Sequence, residues 1–371
     1  MPAGDNLLTI ASKQTISGNP FGVSVGAQTY TLLDANSCTR SKTTSTNYST
    51  FPVVSLYANN EVYIGGSTIS VGANPTAVAT YQANPVTSNS TNGCESLKQT
   101  YSGTTRAIVA NSGSNTVSIL DIVNNALVSN ITVGNHPIAL AVTSDGSYAY
   151  VANYADSTVT RVDLKALTPS APLPVGGNPT SVALTSGGML WVGGAGFLTE
   201  INTSSMSVVG TESVAGKTII ALGFSDQVNE LIATTVDTSS NVDEDEINPT
   251  TFQAGGNYAP TASHAISTLG TYTNQSTQTQ VRAYTSMLAS SSQLSVDQVG
   301  APPLVVQDGW AVVTATPTGF TITDASGHRV LVSETTTSPV TAIAVDSKLN
   351  VAYLTLADSN TLLTVPLPGT N

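Results

Sequence analysis

Side chains able to move protons or hold a metal are scarce in this chain. Three histidines, His136, His264 and His328, stand far apart, and no two share a spacing that a metal ion uses. That scarcity weighs against a multi-histidine zinc or copper centre. No Gly-x-Ser-x-Gly elbow presents a serine nucleophile, and no Gly-x-x-x-x-Gly-Lys loop cradles a phosphate. Two tryptophans, Trp191 and Trp310, are too few for the docking repeats of a quinone-dependent dehydrogenase. The densest carboxylate run is Asp243-Glu244-Asp245-Glu246. Calcium takes several carboxylate oxygens, but the run lacks the glycine and the spaced ligands of a calcium loop. The expectation is a solvated charged loop with weak divalent-cation binding at most.

The elements that would position any site come from a repeat. Val71-Gly72-Ala73-Asn74-Pro75, Val133-Gly134-Asn135-His136-Pro137 and Val175-Gly176-Gly177-Asn178-Pro179 are three copies of Val-Gly-x-x-Pro. Looser copies precede Pro20, end at Thr218 and precede Pro303, and Pro339 opens a further apolar run. Units of roughly 40 residues, each with four short strands, are the mark of a propeller blade. In the clearest unit, Ile138–Val142 is an apolar strand of the kind buried on both faces. Asp145-Gly146 makes a hairpin turn. Tyr148–Asn153 is a second strand, Thr158–Leu164 alternates as a half-exposed third, and Leu173–Val175 ends an outer one.

The fold class expected is all-β, a single closed β-propeller of four-stranded blades spanning residues 1–371. Seven blades fit the anchors with an insertion, and eight is the alternative. Insertions are expected at about 36–52 and 82–104, and an irregular or degenerate blade at about 238–300. There Glu246-Ile247-Asn248 echoes Glu200-Ile201-Asn202, and Val281–Tyr284 is a candidate strand of an eighth blade. The last unit has three strands, and the N-terminal stretch Leu7–Ile10, continuing to Thr15-Ile16, has no partners of its own. The amino-terminal strand is therefore expected to complete the last blade, removing exposed sheet edges. Tyr30–Asn36 is read as the second strand of the first unit, before the insertion carrying Cys38.

At Tyr150-Val151-Ala152-Asn153 the chain resembles the Tyr-Val-Thr-Asn β-propeller repeat family of bacterial and archaeal surface-layer and other exported proteins. The resemblance is close over residues 69–200 and drifts elsewhere, as in Ile108-Val109-Ala110-Asn111 and Leu190-Trp191-Val192-Gly193. It implies a propeller and an extracellular, cell-surface or periplasmic place. It implies no reaction, because the family shares a scaffold rather than a catalytic motif.

In such a scaffold the turns entering the innermost strands line the channel mouth, where propellers bind ligands. Asn135, His136 and Asn178 lie in those turns, and Tyr154 is within reach, so these four are the ligand-binding candidates. The competing reading makes His136 a polar turn residue filling the place Asn74 and Asn178 hold elsewhere. Two cysteines, Cys38 and Cys94, suggest one disulfide in an exported chain. The strand reading puts them in connections at opposite ends of the blades, so long loops would have to wrap to join them.

Composition narrows the partners. Only 9% of residues are charged, the net charge is −12 and the pI about 4.4. Phosphate backbones and anionic membranes need Lys and Arg, so nucleic acid is excluded as a partner. No apolar run is long enough for a spanning helix. Met1-Pro2-Ala3-Gly4 has neither a basic nor an apolar leader segment, and Met1 is read as starting a chain whose export signal is removed. The expected function is a non-catalytic binding or structural module, with a protein, peptide or glycan partner on the loop face. That face is expected to combine the turns before the prolines, the turns between second and third strands, and the insertion near 36–52. The alternative is a metal-dependent, lactonase- or hydrolase-like propeller enzyme.

Overall fold

The computed structural model describes residues 12–33, 44–85, 102–185, 187–225, 230–238, 242–247, 254–258, 265–274, 277–285, 311–316, 319–324, 330–336, 340–346, 351–356 and 359–367. All regular structure among them is strand. The first strand among the described residues is β1 (Ser12–Thr15), followed by a meander of β2 (Pro20–Leu33), β3 (Thr44–Leu56), β4 (Glu61–Ile64) and β5 (Ser67–Ser70). The second meander is β6 (Pro75–Pro85), β7 (Ser102–Asn111), β8 (Thr116–Asp121) and β9 (Ala126–Thr132). The third is β10 (Pro137–Val142), β11 (Tyr148–Asn153) and β12 (Thr158–Asp163), edged by β13 (Thr168–Pro169) and β14 (Leu173–Pro174). Both edge pieces end in proline, which an outermost strand tolerates because its outward N–H needs no partner.

A six-stranded sheet follows: β15 (Pro179–Leu184), β16 (Met189–Asn202), β17 (Ser207–Ser225), β18 (Glu230–Asp237), β19 (Val242–Ile247) and β20 (Ala254–Tyr258). Its long strands change partners midway. Residues 190–194 of β16 pair with β15, and residues 195–202 with β17. Gly196, left-handed at φ 79°, sits at the exchange. In β17, Ser207–Ser213 pairs with β16 and Lys217–Ser225 with β18. One continuous ladder thus carries two repeat units.

The next sheet is β21 (Ala265–Asn274), β22 (Thr277–Thr285), β23 (Ala311–Thr316), β24 (Gly319–Asp324) and β25 (Val330–Thr335). The last is β26 (Ala342–Asp346), β27 (Val351–Leu356) and β28 (Thr361–Pro366). Its fourth strand is β1, paired antiparallel from Ser12↔Thr364 to Thr15↔Thr361. The two ends of the chain therefore share a sheet, as the unmatched strands at either terminus require. Leu7–Ile10 lies outside the described residues.

Apolar clusters sit between consecutive sheets. Ile64, Val53, Val109 and Leu120 join the first and second. Ile108, Ile119, Val151 and Leu164 join the second and third, and Tyr150, Val159, Leu190 and Val192 the third and fourth. Trp191, Leu198, Ile219 and Leu231 lie between the two units of the six-stranded sheet. Phe320, Val332, Ile343 and Leu354 bridge the last two sheets. Ile16, Val54, Leu56, Ala344 and Tyr353 bridge the last sheet to the first. First strands adjoin in order, β26 on β2, β2 on β6, β6 on β10 and β10 on β15. Threonine hydroxyls tie them: Thr341 Oγ1 donates to Pro20 O (3.1 Å) and Thr76 Oγ1 to Pro137 O (3.2 Å).

Several expectations need correction. Tyr30–Leu33 is not a second strand but the far end of β2, and the second strand of the first unit is β3. Where they are described, the insertions near 36–52 and 82–104 are ladder: β2 and β3 stay paired from Leu56 out to Leu33↔Thr44, and β6 and β7 out to Pro85↔Ser102, while 36–43 and 86–101 lie outside the described residues. The polar run Thr44–Thr50 resembles loop sequence although it is paired strand. The acidic run is strand as well, with Asp243–Glu246 paired along β18 from Thr235 to Ile232. A strand's two-residue period gives each face only two of the four acidic positions. Val281–Tyr284 falls in β22, which joins the β23–β25 sheet instead of starting a separate one.

Candidate functional site

Antiparallel succession sends two kinds of connection to one end of every unit. These are the junction entering the first strand and the turn between second and third strands. All four ligand-binding candidates lie at that end, and the structure brings them together. The His136 and Tyr154 rings are 5.8 Å apart, and Asn178 Nδ2 donates to Tyr154 O at 3.1 Å. Asn135 donates through its N–H and Nδ2 to the two oxygens of Asp156, both at 2.6 Å, and its Oδ1 accepts from Asn115 Nδ2 at 2.9 Å.

The backbone explains what these residues do. Asn74, His136 and Asn178 are left-handed at φ 52°, 55° and 41°, as is Asn19 before Pro20 at φ 58°. Asparagine and histidine are among the few side chains enriched there. Each donates its backbone N–H to a side chain of the preceding unit's turn. Asn74 N–H bonds Asn60 Oδ1 (2.9 Å), His136 N–H Asn115 Oδ1 (3.0 Å) and Asn178 N–H Ser157 Oγ (3.2 Å). The acceptors Asn60, Asn115 and Ser157 are themselves left-handed. The same lock joins the chain's two ends, where Asn19 N–H donates to Asn360 Oδ1 at 2.7 Å. Each junction carries further backbone bonds, such as Val133 N–H to Asn115 O and Ile16 N–H to Asn360 O. In the other direction Tyr154 N–H reaches His136 O, and Tyr57 N–H reaches Asn19 O.

The asparagine ending the second strand makes a deeper layer of this clamp. Asn153 is fully buried, donates to Thr158 Oγ1 (3.0 Å) and Thr160 Oγ1 (2.9 Å), and accepts from Gly134 N–H at 3.1 Å. A Cβ on Gly134 would stand 2.6 Å from Asn153 Cγ, so only glycine fits. Asn111 repeats the bonds to Thr116 and Ser118, but its Oδ1 has no partner, and Gly72 N–H bonds Ser118 Oγ instead. Val-Gly-x-x-Pro and the strand-ending Asn are two halves of one inter-unit device. Asn153, Asn111, Asn115, Asn360 and Asp156 were not nominated by motif reasoning, although the strand-ending Asn was visible in the repeat.

Chemically, this end has its polar groups engaged with one another. Among the described residues no group of three or more His, Cys, Asp or Glu converges as a metal site. His264, His328, Cys38 and Cys94 lie outside the described residues. The titratable groups displaced from ordinary values lie elsewhere. Three donors from Thr143 and Ser147 hold Asp145 low in its hairpin turn. Burial pushes Glu200 up, and it pushes the Tyr81 phenol up against the opposing pull of the neighbouring Arg106 guanidinium.

The opposite end is built differently. The 14-residue β2 and 13-residue β3, with the 11-residue β6 and 10-residue β7, extend far beyond the six-residue β10 and β11. The two long hairpins touch where Ser24 Oγ and Thr80 Oγ1 share a hydrogen bond at 3.2 Å. The insertion near 36–52 therefore belongs to the end away from the prolines, not to the face carrying His136.

No family model and no curated protein sequence matches the chain. Among solved structures, a chain of Kuenenia stuttgartiensis hydrazine synthase is similar with a TM-score of 0.52 at 15% identity. The match covers 72% of this chain and 94% of that one. At that identity the likeness concerns the fold alone. No helix among the described residues is long and apolar enough to cross a membrane.

Proposed function

We propose that the chain is a closed seven-bladed β-propeller of the Tyr-Val-Thr-Asn repeat type. It acts as an exported, non-catalytic binding or structural module at the cell surface or in the periplasm. Six sheets, with the long strands of one exchanging partners midway, support counting seven blades. The first strand in the last sheet and the Asn19–Asn360 lock support the ring closing on itself.

The observation that carries the functional reading is the difference between the two ends. The proline end spends its polar side chains on clamping neighbouring blades, whereas the far end projects two adjacent hairpins about twice as long as their counterpart in the third unit. A rigid ring displaying long loops is how solenoid and propeller scaffolds present recognition surfaces. The partner is a protein, peptide or glycan engaged by the hairpin end.

A glycan and peptide array probed with the full chain tests this. A variant in which the β2–β3 extension is replaced by a tight Asp-Gly turn should keep its Tm and lose the binding. Retained binding by that variant, or metal-dependent turnover of a lactone by the parent chain, would overturn the proposal.

A further inference from the structure

We infer that Arg106 and Tyr81 form a binding site for a monovalent carboxylate, set between the second and third sheets towards the end away from the prolines. The site needs neither the closed ring nor the exported placement proposed above.

Tyr81 on β6 pairs with Arg106 on β7, which pairs in turn with Asp121 on β8. Residues opposite one another in an antiparallel ladder share a face, with Cβ atoms about 5 Å apart. That face packs on the third sheet, because Tyr81 joins the cluster holding Leu140, Val151 and Leu164. The third sheet's hairpin turn lies against it, since a Cβ on Gly146 would stand 2.4 Å from Gln82 O and 3.4 Å from the Tyr81 ring. Tyr81 is only 6% exposed and Arg106 is half-buried. Yet the Tyr81 hydroxyl and Arg106 Nε, both buried, lack a hydrogen-bond partner. Two unsatisfied donors are costly, the more so when one carries a charge. The nearby carboxylates are turned to other work. Asp121 accepts from the N–H groups of Val123 and Asn124 and from Asn124 Nδ2, at 2.9–3.1 Å. Asp145, beside Gly146, accepts from Thr143 Oγ1, Ser147 N–H and Ser147 Oγ. Arg161 in the third unit is satisfied by comparison, with Nη1 donating to Thr203 O at 3.1 Å and Cζ 4.9 Å from the Tyr148 ring centre.

Two donors and one positive charge suit an anion, because a water would answer the hydrogen bonds but not the charge. A planar guanidinium matches a carboxylate, and the Tyr81 O–H donates to the same group. Burial holds that phenol above its ordinary value of 10.0, so it stays protonated at neutral pH. One cation in a chain of net charge −12 balances one negative charge and disfavours a phosphate dianion. The full chain is titrated with sodium acetate, sodium glucuronate and sodium phosphate against sodium chloride at equal ionic strength. Tm and the Arg106 Nε–Hε resonance, assigned by its loss in Arg106→Gln, are followed. A carboxylate should raise Tm and shift that resonance, whereas chloride and phosphate should do neither. A response to acetate assigns the site to a free small acid, and a response to glucuronate alone to a carboxylate carried on a sugar. Tyr81→Phe should match the parent's Tm without ligand, since the lost hydroxyl bonds nothing, and should bind about tenfold more weakly. No shift with either acid, an equal response to phosphate, or undiminished affinity in Tyr81→Phe would overturn the site.

Discussion

Replacing Asn153 by alanine isolates the device that joins neighbouring sheets. The side chain is fully buried and holds three hydrogen bonds, two to the Thr158 and Thr160 hydroxyls and one from the Gly134 N–H. The hydroxyls can rotate towards other partners, so each loss costs about 0.5–1 kcal/mol. The Gly134 N–H has no such freedom and is left buried and unpaired, at about 1–3 kcal/mol. The sum is about 3 kcal/mol. Asn111→Ala removes the equivalent hydroxyl bonds but strands no N–H, because Gly72 N–H already bonds Ser118 Oγ. Its cost should be about 1–2 kcal/mol. Urea unfolding of the two variants and the parent, with m-values compared, reads the difference directly. Equal costs, or a cheaper Asn153→Ala, would refute the assignment of the Gly134 bond as the stronger half of the clamp.

Two further predictions follow from the same geometry. His136→Asn should leave Tm unchanged or slightly higher, and His136→Val should lose about 1–2 kcal/mol, because a β-branched residue resists φ 55°. Thermal unfolding decides, and a large loss in His136→Asn would point to a role for the imidazole itself. Burial raises Glu200 above its ordinary value of 4.5, so its ionisation costs more folded than unfolded. Stability from this group is full below 4.5 and falls as pH rises through the raised value. Glu200→Gln should therefore be more stable than the parent at neutral pH and equal to it in acid. A urea titration at both pH values checks the sign.

Much of the fold was legible because the junction chemistry is written locally. A left-handed Asn before Pro, a glycine two residues earlier and an Asn ending the second strand each leave a residue-level trace. The third unit is the clearest case, since β10, β11 and β12 fall where the turn residues and apolar alternation place them. The sequence signal fails where a strand outruns its turn residues. Polar, β-branched stretches such as Thr44–Thr50 carry the ladder of a long hairpin without an apolar face to announce it. The acidic run went astray for the same reason, since carboxylates resemble loop residues until register pairs them with β18. His136 illustrates the limit for sites. Its type suggested chemistry, but its φ and its backbone bond to Asn115 were decided by a neighbour 21 residues away. The raised Glu200 carries no sequence signal at all, because burial depends on how the sheets pack.

Ring closure is tested most directly by a cysteine pair across the seam between chain ends. Ser12 and Thr364 face each other in the β1–β28 ladder, and Cβ atoms so paired stand about 5 Å apart, within disulfide reach. In a Cys38→Ser/Cys94→Ser background, Ser12→Cys/Thr364→Cys should oxidise to a monomer whose ends are covalently joined and whose Tm rises. Free thiols after oxidation, or a bond found only between molecules, would contradict a propeller fastened by its own first strand.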